Sequence, residues 1–214
     1  MSALTDLSLK DFIARTASDA PAPGGGSAAA LAGSLAAALA AMVASLSQGE
    51  KYPAERMRGL GSEALTLSHL LEEAVQKDAD SFDGYMAALR LPKGSPEEIA
   101  ARRAAMQAGL QSAARVPLAT AEAACRVFPL AAAAAAEGNP NAQSDALVAA
   151  MLARAAVLGA VCNVSINLAG IQDEAFRKDA EARCAACVRA AAKGEAAVLR
   201  LSPLSADMPP AADK

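Results

Sequence analysis

The sequence predicts an all-α fold: a multi-helix up-and-down bundle of long antiparallel helices, with no β-sheet. Three observations carry that expectation. Hydrophobic residues make up 54% of the 214-residue chain, yet aromatics make up only 3% and tryptophan is missing. A core must therefore come from Ala, Leu, Val and Met, and Ala has the highest helix propensity and loses no side-chain entropy. Apolar residues recur at helical spacing in successive segments, while no stretch alternates as a half-buried strand would. The length suits one domain with a real core, expected over residues 1–200, with a Pro-rich tail at 201–214 expected to be mobile.

The elements follow in order. A first helix is expected to start at Ser8, with Asp11 as capping partner and Leu9, Phe12 and Ile13 as its apolar side. PAPGGG then breaks the chain, and Ser27 is expected to cap a second helix running to about Ser47. That helix has two uncharged faces. Leu31, Leu35, Leu39, Met42 and Leu46 form a bulky stripe expected to fill the core. Ala29, Gly33, Ala37, Ala41 and Ser45 form a small stripe that permits close helix contact. Pro53 fits the first turn of a third helix reaching about Leu89, with Leu60, Leu67, Leu71, Val75, Phe82 and Tyr85 inward. Ser95, Pro96 and Glu98 form a capping box at the start of a fourth helix, which Pro117 is expected to kink or stop and Pro129 to break again near its end. Ser144 or Asn141 is expected to cap a fifth helix to about Ala169, and a last helix covers roughly 172–200.

Several classes recede. A formal net charge of −3 disfavours nucleic acid as a partner. The four cysteines show one close spacing, Cys184 and Cys187, inside an Ala-rich helical stretch with no strand before it, so structural thiols in a reducing cytoplasm are expected. The start, MSALTDLSLKDFIAR, carries both charge signs and is no signal peptide. Residues 27–48 are long enough to span a bilayer, but Ala, Ser and Gly dominate them, with few Leu, and flanking Trp, Tyr or Arg anchors are missing on the N-terminal side, so no membrane partner is expected.

Polar residues that a bundle does not need are the informative ones. Gly24, Gly25, Gly26 and Ser27 precede a helix; they serve either a tight turn or an anion at the helix N-terminus. No Walker GK[ST] follows. Asp145, Asn163 and Asn167 share a helix face, as an inner polar site or as helix-to-helix hydrogen bonding. Asp78 and Asp80 precede Phe82, while Lys93 and Arg102 flank the next helix start; a solvated face is the alternative for these. His69, among leucines, reads as a packed or surface residue.

In order, the segments APAPGGGSAAALAGSLAAALAAMV (20–43), GEKY (49–52), DADSFDGYMAALRLPK (78–93), PEEIAAR (96–102), VPL (116–118), GNPNAQSDA (138–146) and NVSINLAGIQD (163–173) resemble the cyclodeaminase/cyclohydrolase family of folate enzymes. The resemblance covers residues 6–200. It implies a helical bundle that forms a homodimer, binds tetrahydrofolate derivatives and needs no metal or redox cofactor. One departure is GEKY, where the family often has a more basic GKKKY-like stretch; Lys51 remains as the basic residue.

Hydrolysis of a methenyl group and cyclodeamination of a formimino group both pass through a tetrahedral carbon flanked by nitrogens. Both call for a carboxylate near positive charge and a group that moves protons. On the resemblance, Asp78 and Asp145 are the leading candidates for those roles, with Lys93 assisting. Lys51, Lys93 and Arg102 are candidates for the substrate's carboxylates, Gly24 to Ser27 for backbone donors, and Asn139, Asn163, Asn167 and Asp173 for the pterin edge or for support of the site. With no transferase domain in the chain, methenyltetrahydrofolate cyclohydrolase is expected first, with formiminotetrahydrofolate cyclodeaminase or a non-catalytic helical dimerisation module as alternatives.

Overall fold

The structure, a computed structural model, describes residues 3–202; the expected mobile tail falls almost entirely outside them. After a short turn at Leu4–Asp6 come α1 (Leu9–Thr16), α2 (Gly25–Leu46), α3 (Ala54–Leu89), α4 (Pro96–Cys125), α5 (Val127–Glu137), α6 (Gln143–Leu168) and α7 (Glu174–Leu199). Strands are missing among the described residues. The all-α expectation holds.

α2 is the axis of the bundle. It runs antiparallel to α3 on one side and to α6 on the other. The close approach comes from missing side-chain volume. A Cβ on Gly33 would lie 3.3 Å from both Ala156 and Leu71, and one on Gly159 would lie 3.1 Å from Ala29. On the α3 side, Ser34 donates to the Ser68 carbonyl (3.0 Å) and Ser68 donates back to the Ser34 carbonyl (3.1 Å), so two buried hydroxyls are satisfied where the helices touch.

The small stripe of α2, more than the bulky one expected to fill the core, supplies its buried positions. Ala29, Gly33, Ala37 and Ala41 are buried, whereas Leu35 and Leu46 are each 50% exposed and Met42 lies outward too. Small side chains let α3 and α6 approach, and each ångström of approach adds dispersion contacts. Leu35 and Leu46 are left on the outside, while Leu31 and Leu39 stay half-buried against the core and Ser45 of the small stripe is exposed. A similar correction applies to α1: Leu9 and Ile13 are exposed and only Phe12 packs inward. On α3, Leu60, Leu67, Leu71 and Val75 are core, but Phe82 is exposed.

The capping box of α4 forms as expected, Ser95 accepting from the Glu98 amide and Glu98 from the Ser95 amide. Pro117 does not stop α4, which runs through it to Cys125. Pro129 has the larger effect. It cannot donate to the carbonyl of Cys125, four residues back, and α4 ends there. The Ala-rich segment beyond forms its own helix, α5, which the sequence reading did not separate. α6 starts at Gln143 with neither Ser144 nor Asn141 as its cap; a single turn at Pro140–Ala142, capped by Asn139, leads into it. α7 runs antiparallel to α6 and parallel to α4, pinned by Arg154–Glu195 and by Arg183–Glu122.

Candidate active site

The bundle has two ends. One gathers the N-terminus of α2, the C-terminal halves of α3 and α6, and the N-terminus of α7. At this end Ser27 is wholly buried, and its hydroxyl lies 3.0 Å from both the Val75 carbonyl and the Asp78 carboxylate. Ser27 is therefore no N-cap, as the sequence reading had it. The cap is Gly24, and Ser27 stands in the first turn tying α2 to α3. Arg15 donates to the Ala22 carbonyl (2.9 Å) and holds the loop ahead of it.

Gly26 explains why the carboxylate fits. A Cβ there would fall 2.1 Å from Asp78 Oδ1 and 2.5 Å from Cγ, so the carboxylate occupies the space of the absent side chain. It lies against the first turn of α2, where backbone N–H groups have no intrahelical acceptor and the helix dipole favours negative charge. Burial nonetheless dominates, and pushes the Asp78 carboxyl above its ordinary range; the hydroxyl and amide of Ser27 pull partly in the other direction. Gly25, exposed next to it, faces Asn163, whose amide nitrogen would lie 3.2 Å from a Cβ at position 25. Asn163 donates to the Gly159 carbonyl (2.8 Å), which orients its amide. The structure thus brings together Gly24, Gly25, Gly26, Ser27, Asp78 and Asn163.

Other candidates have structural partners of their own. Asn167 donates to the Ala113 carbonyl (3.0 Å), which Pro117 leaves without a helical donor, and to the Asn163 carbonyl (2.9 Å). Asp173 is the N-cap of α7 and accepts from the Phe176 amide. Arg102 donates twice to the Leu89 carbonyl and so caps α3. That contact sits three turns, about 16 Å, along α3 from Asp78. Lys93 is exposed in the α3–α4 connection. His69 is on the surface.

Asp145, Asn139 and Lys51 belong to the opposite end. Asp145 lies in the first turn of α6, five turns or roughly 27 Å from Asn163. Asn139 donates its backbone amide to the Ser47 hydroxyl (2.8 Å) and its side-chain amide to the Leu46 carbonyl, closing the C-terminus of α2. Lys51 stands over the Tyr52 ring at 4.9 Å. Within one chain, then, Asp78 and Asp145 do not form a pair. The shared face read from the sequence is real, with Ala149 and Ala156 buried between, but it runs the length of the bundle.

Cys125, Cys184 and Cys187 join neither group, and Cys162, next to Asn163 on α6, is exposed. Cys184 and Cys187 are buried, Cys125 donates to the Cys187 carbonyl (3.6 Å), and burial pushes the Cys125 thiol up to about 12. Such thiols are poor nucleophiles at neutral pH.

The family model for formiminotransferase-cyclodeaminase matches residues 8–186. The chain belongs to the formiminotransferase-cyclodeaminase family. It is 38% identical over 174 residues to a methenyltetrahydrofolate cyclohydrolase of Methylorubrum extorquens, covering 80% of this chain and 84% of that protein. It is 37% identical over 194 residues to the formimidoyltransferase-cyclodeaminase of Sus scrofa, covering 89% of this chain but 36% of that longer protein. The crystal structure of formiminotetrahydrofolate cyclodeaminase from Thermotoga maritima superposes with a TM-score of 0.81 at 30% identity, over 92% of this chain and 96% of that one. Within this family fold, the Gly24–Ser27 turn and Asp78 meet as a polar site at one end of the bundle.

Proposed function

We propose that the chain is a folate one-carbon enzyme that hydrolyses 5,10-methenyltetrahydrofolate to 10-formyltetrahydrofolate. The observation that carries this reading is the match to the Methylorubrum cyclohydrolase along most of both chains. The methenyl substrate is a delocalised N–C–N cation. Water adds to its carbon and loses one proton to give a neutral carbinol; the C–N bond to one nitrogen then breaks, that nitrogen taking up a proton while the carbinol hydroxyl gives up its own to leave the formyl C=O. Asp78 supplies negative charge for the cation and a base for the water, and its half-buried setting brings its proton affinity closer to the working pH. The exposed amide edge at Gly25 and the Asn163 side chain offer hydrogen bonds to the ring system.

Cyclodeamination of formiminotetrahydrofolate is the second reading, favoured by the match to the Thermotoga cyclodeaminase over nearly its whole length. It uses the same tetrahedral carbon, with ammonia as the leaving group. The near-ultraviolet band of methenyltetrahydrofolate separates the two: the enzyme speeds its loss in the first case, and its formation from formiminotetrahydrofolate in the second. If it does neither, a non-catalytic module takes their place.

The reading includes a homodimer in the cytoplasm, with no cofactor, nucleic-acid or membrane partner. Gly25–Leu46, Pro96–Glu137 and Pro140–Leu168 are apolar and long enough to cross a membrane, but each also buries side chains in this bundle. What supports a second copy is the outward face of α2. No charged residue occurs between Ala20 and Gly49, and Leu35, Met42 and Leu46 are exposed there, as are Val148 and Met151 on α6, which packs against α2. Exposed apolar side chains on two packed helices suit an interface. A two-fold axis perpendicular to α2 would run the two copies of α2 antiparallel. The Asp145 end of one protomer would then approach the Asp78 end of the other. Leu35→Glu with Met42→Glu should give monomers in sedimentation velocity; an unchanged dimer would place the interface elsewhere.

A further inference from the structure

We propose that Gly26 and Ser27 are positioning residues for Asp78, Gly26 by vacating the space its carboxylate fills and Ser27 by serving both of its protonation states. The inference rests on Asp78 being the acting carboxylate. A serine hydroxyl has one proton to give and two lone pairs. Here it has two acceptors at the same 3.0 Å distance, the Val75 carbonyl and the Asp78 carboxylate. When Asp78 is charged, the hydroxyl turns to it. When Asp78 carries the proton, Asp78 donates to the Ser27 oxygen and the hydroxyl turns to Val75. Neither state leaves the buried hydroxyl without an acceptor, so a proton can be taken up and released with a rotation of one O–H bond. A helix cap with no chemical role would need only the first arrangement.

The surroundings leave this control to Ser27. The first turn of α2 contributes no charge, and α6 brings the neutral Asn163. On α3, Lys77 is paired with Glu73 and Asp80 accepts from Gln76. Arg115 of α4 stacks on Phe176, and Arg15 is held by the Ala22 carbonyl.

The test is a carbon-13 NMR titration of the Asp78 carboxyl in the folate-free protein, assigned by its loss in Asp78→Asn, alongside the pH dependence of kcat/KM. Ser27→Ala, which only removes atoms, is expected to move the Asp78 midpoint to higher pH and to carry the acid limb of the rate profile with it. Gly26→Ala is expected to lower kcat more than it raises KM, because the carboxylate must move. An Asp78 midpoint unchanged in Ser27→Ala, even with a lower melting temperature, overturns the proposal. Full activity in Asp78→Asn overturns instead the role of Asp78 on which it rests, and leaves the NMR shift as an independent result.

Discussion

Asn167 on α6 donates its side-chain amide to the carbonyl of Ala113 on α4, the carbonyl that Pro117 cannot reach with an N–H. The asparagine completes a helix interrupted by proline, which explains why Pro117 leaves α4 continuous. Removing the amide leaves a carbonyl without its donor, at a cost of about 1–3 kcal/mol. Asn167→Ala should therefore lower stability in urea unfolding. In a Pro117→Ala background, where residue 117 regains its N–H, the same change should cost less. Equal costs in both backgrounds would remove the pairing from the account.

Asp173 and Arg102 lead to a related expectation. Both close helix ends, so Asp173→Ala and Arg102→Ala should lower stability, by about 1 kcal/mol for the lost N-cap. KM for the folate should stay within twofold of wild type in each. A large rise in KM with unchanged stability would return them to the binding surface, as the sequence first read them.

Asp78 should cost the protein stability at neutral pH. Its folded-state pKa is raised by burial, so the native state holds the proton more tightly than the unfolded chain. Below the unfolded-state pKa both states are protonated and nothing is lost. As pH rises from there through the folded-state pKa, stability falls, and above it the loss is complete. Asp78→Asn does not titrate. Its melting temperature should exceed that of wild type at pH 7, and the difference should close as the pH is lowered through the acid range. A lower melting temperature at pH 7 would contradict this.

Asp145 stands five turns of α6, about 27 Å, from Asn163 at the Asp78 end of the bundle, which bears on the proposed dimer. If the two carboxylates meet across protomers, Asp78→Asn and Asp145→Asn homodimers are each inactive. Mixing and reassociating them should then restore partial activity, since a heterodimer carries one site with both carboxylates. No recovery, with exchange of subunits verified, would place each site within one protomer.

Much of this architecture is readable along the chain, for definite reasons. An Ala-built core with few aromatics leaves helices as the economical solution, and local chemistry such as Ser95–Glu98 marks a helix start wherever it occurs. The Gly24–Ser27 turn and Asp78 were singled out from sequence and do meet. What periodicity could not supply is depth and height. α2 is uncharged all round, so spacing found both stripes without telling which faced inward; the answer lay in Gly33 and Gly159 on neighbouring helices. Likewise, Asp145 and Asn163 share a face, but a face does not say which end of the bundle a residue occupies. The role of Asn167 depended on Pro117, fifty residues earlier and on another helix. A signal was present in the sequence: a proline inside a helix implies an unpaired carbonyl four residues back, and so a donor from elsewhere.

The most direct measurement follows the methenyltetrahydrofolate band at neutral pH with the wild-type chain and with Asp78→Asn, both checked for folding by circular dichroism. Wild type should speed loss of the band well above the buffer rate, and Asp78→Asn should fall at least a hundredfold toward it, in line with the usual loss of a general base. A folded Asp78→Asn that retains the wild-type rate would contradict this, as would a wild-type chain that accelerates neither hydrolysis nor cyclodeamination.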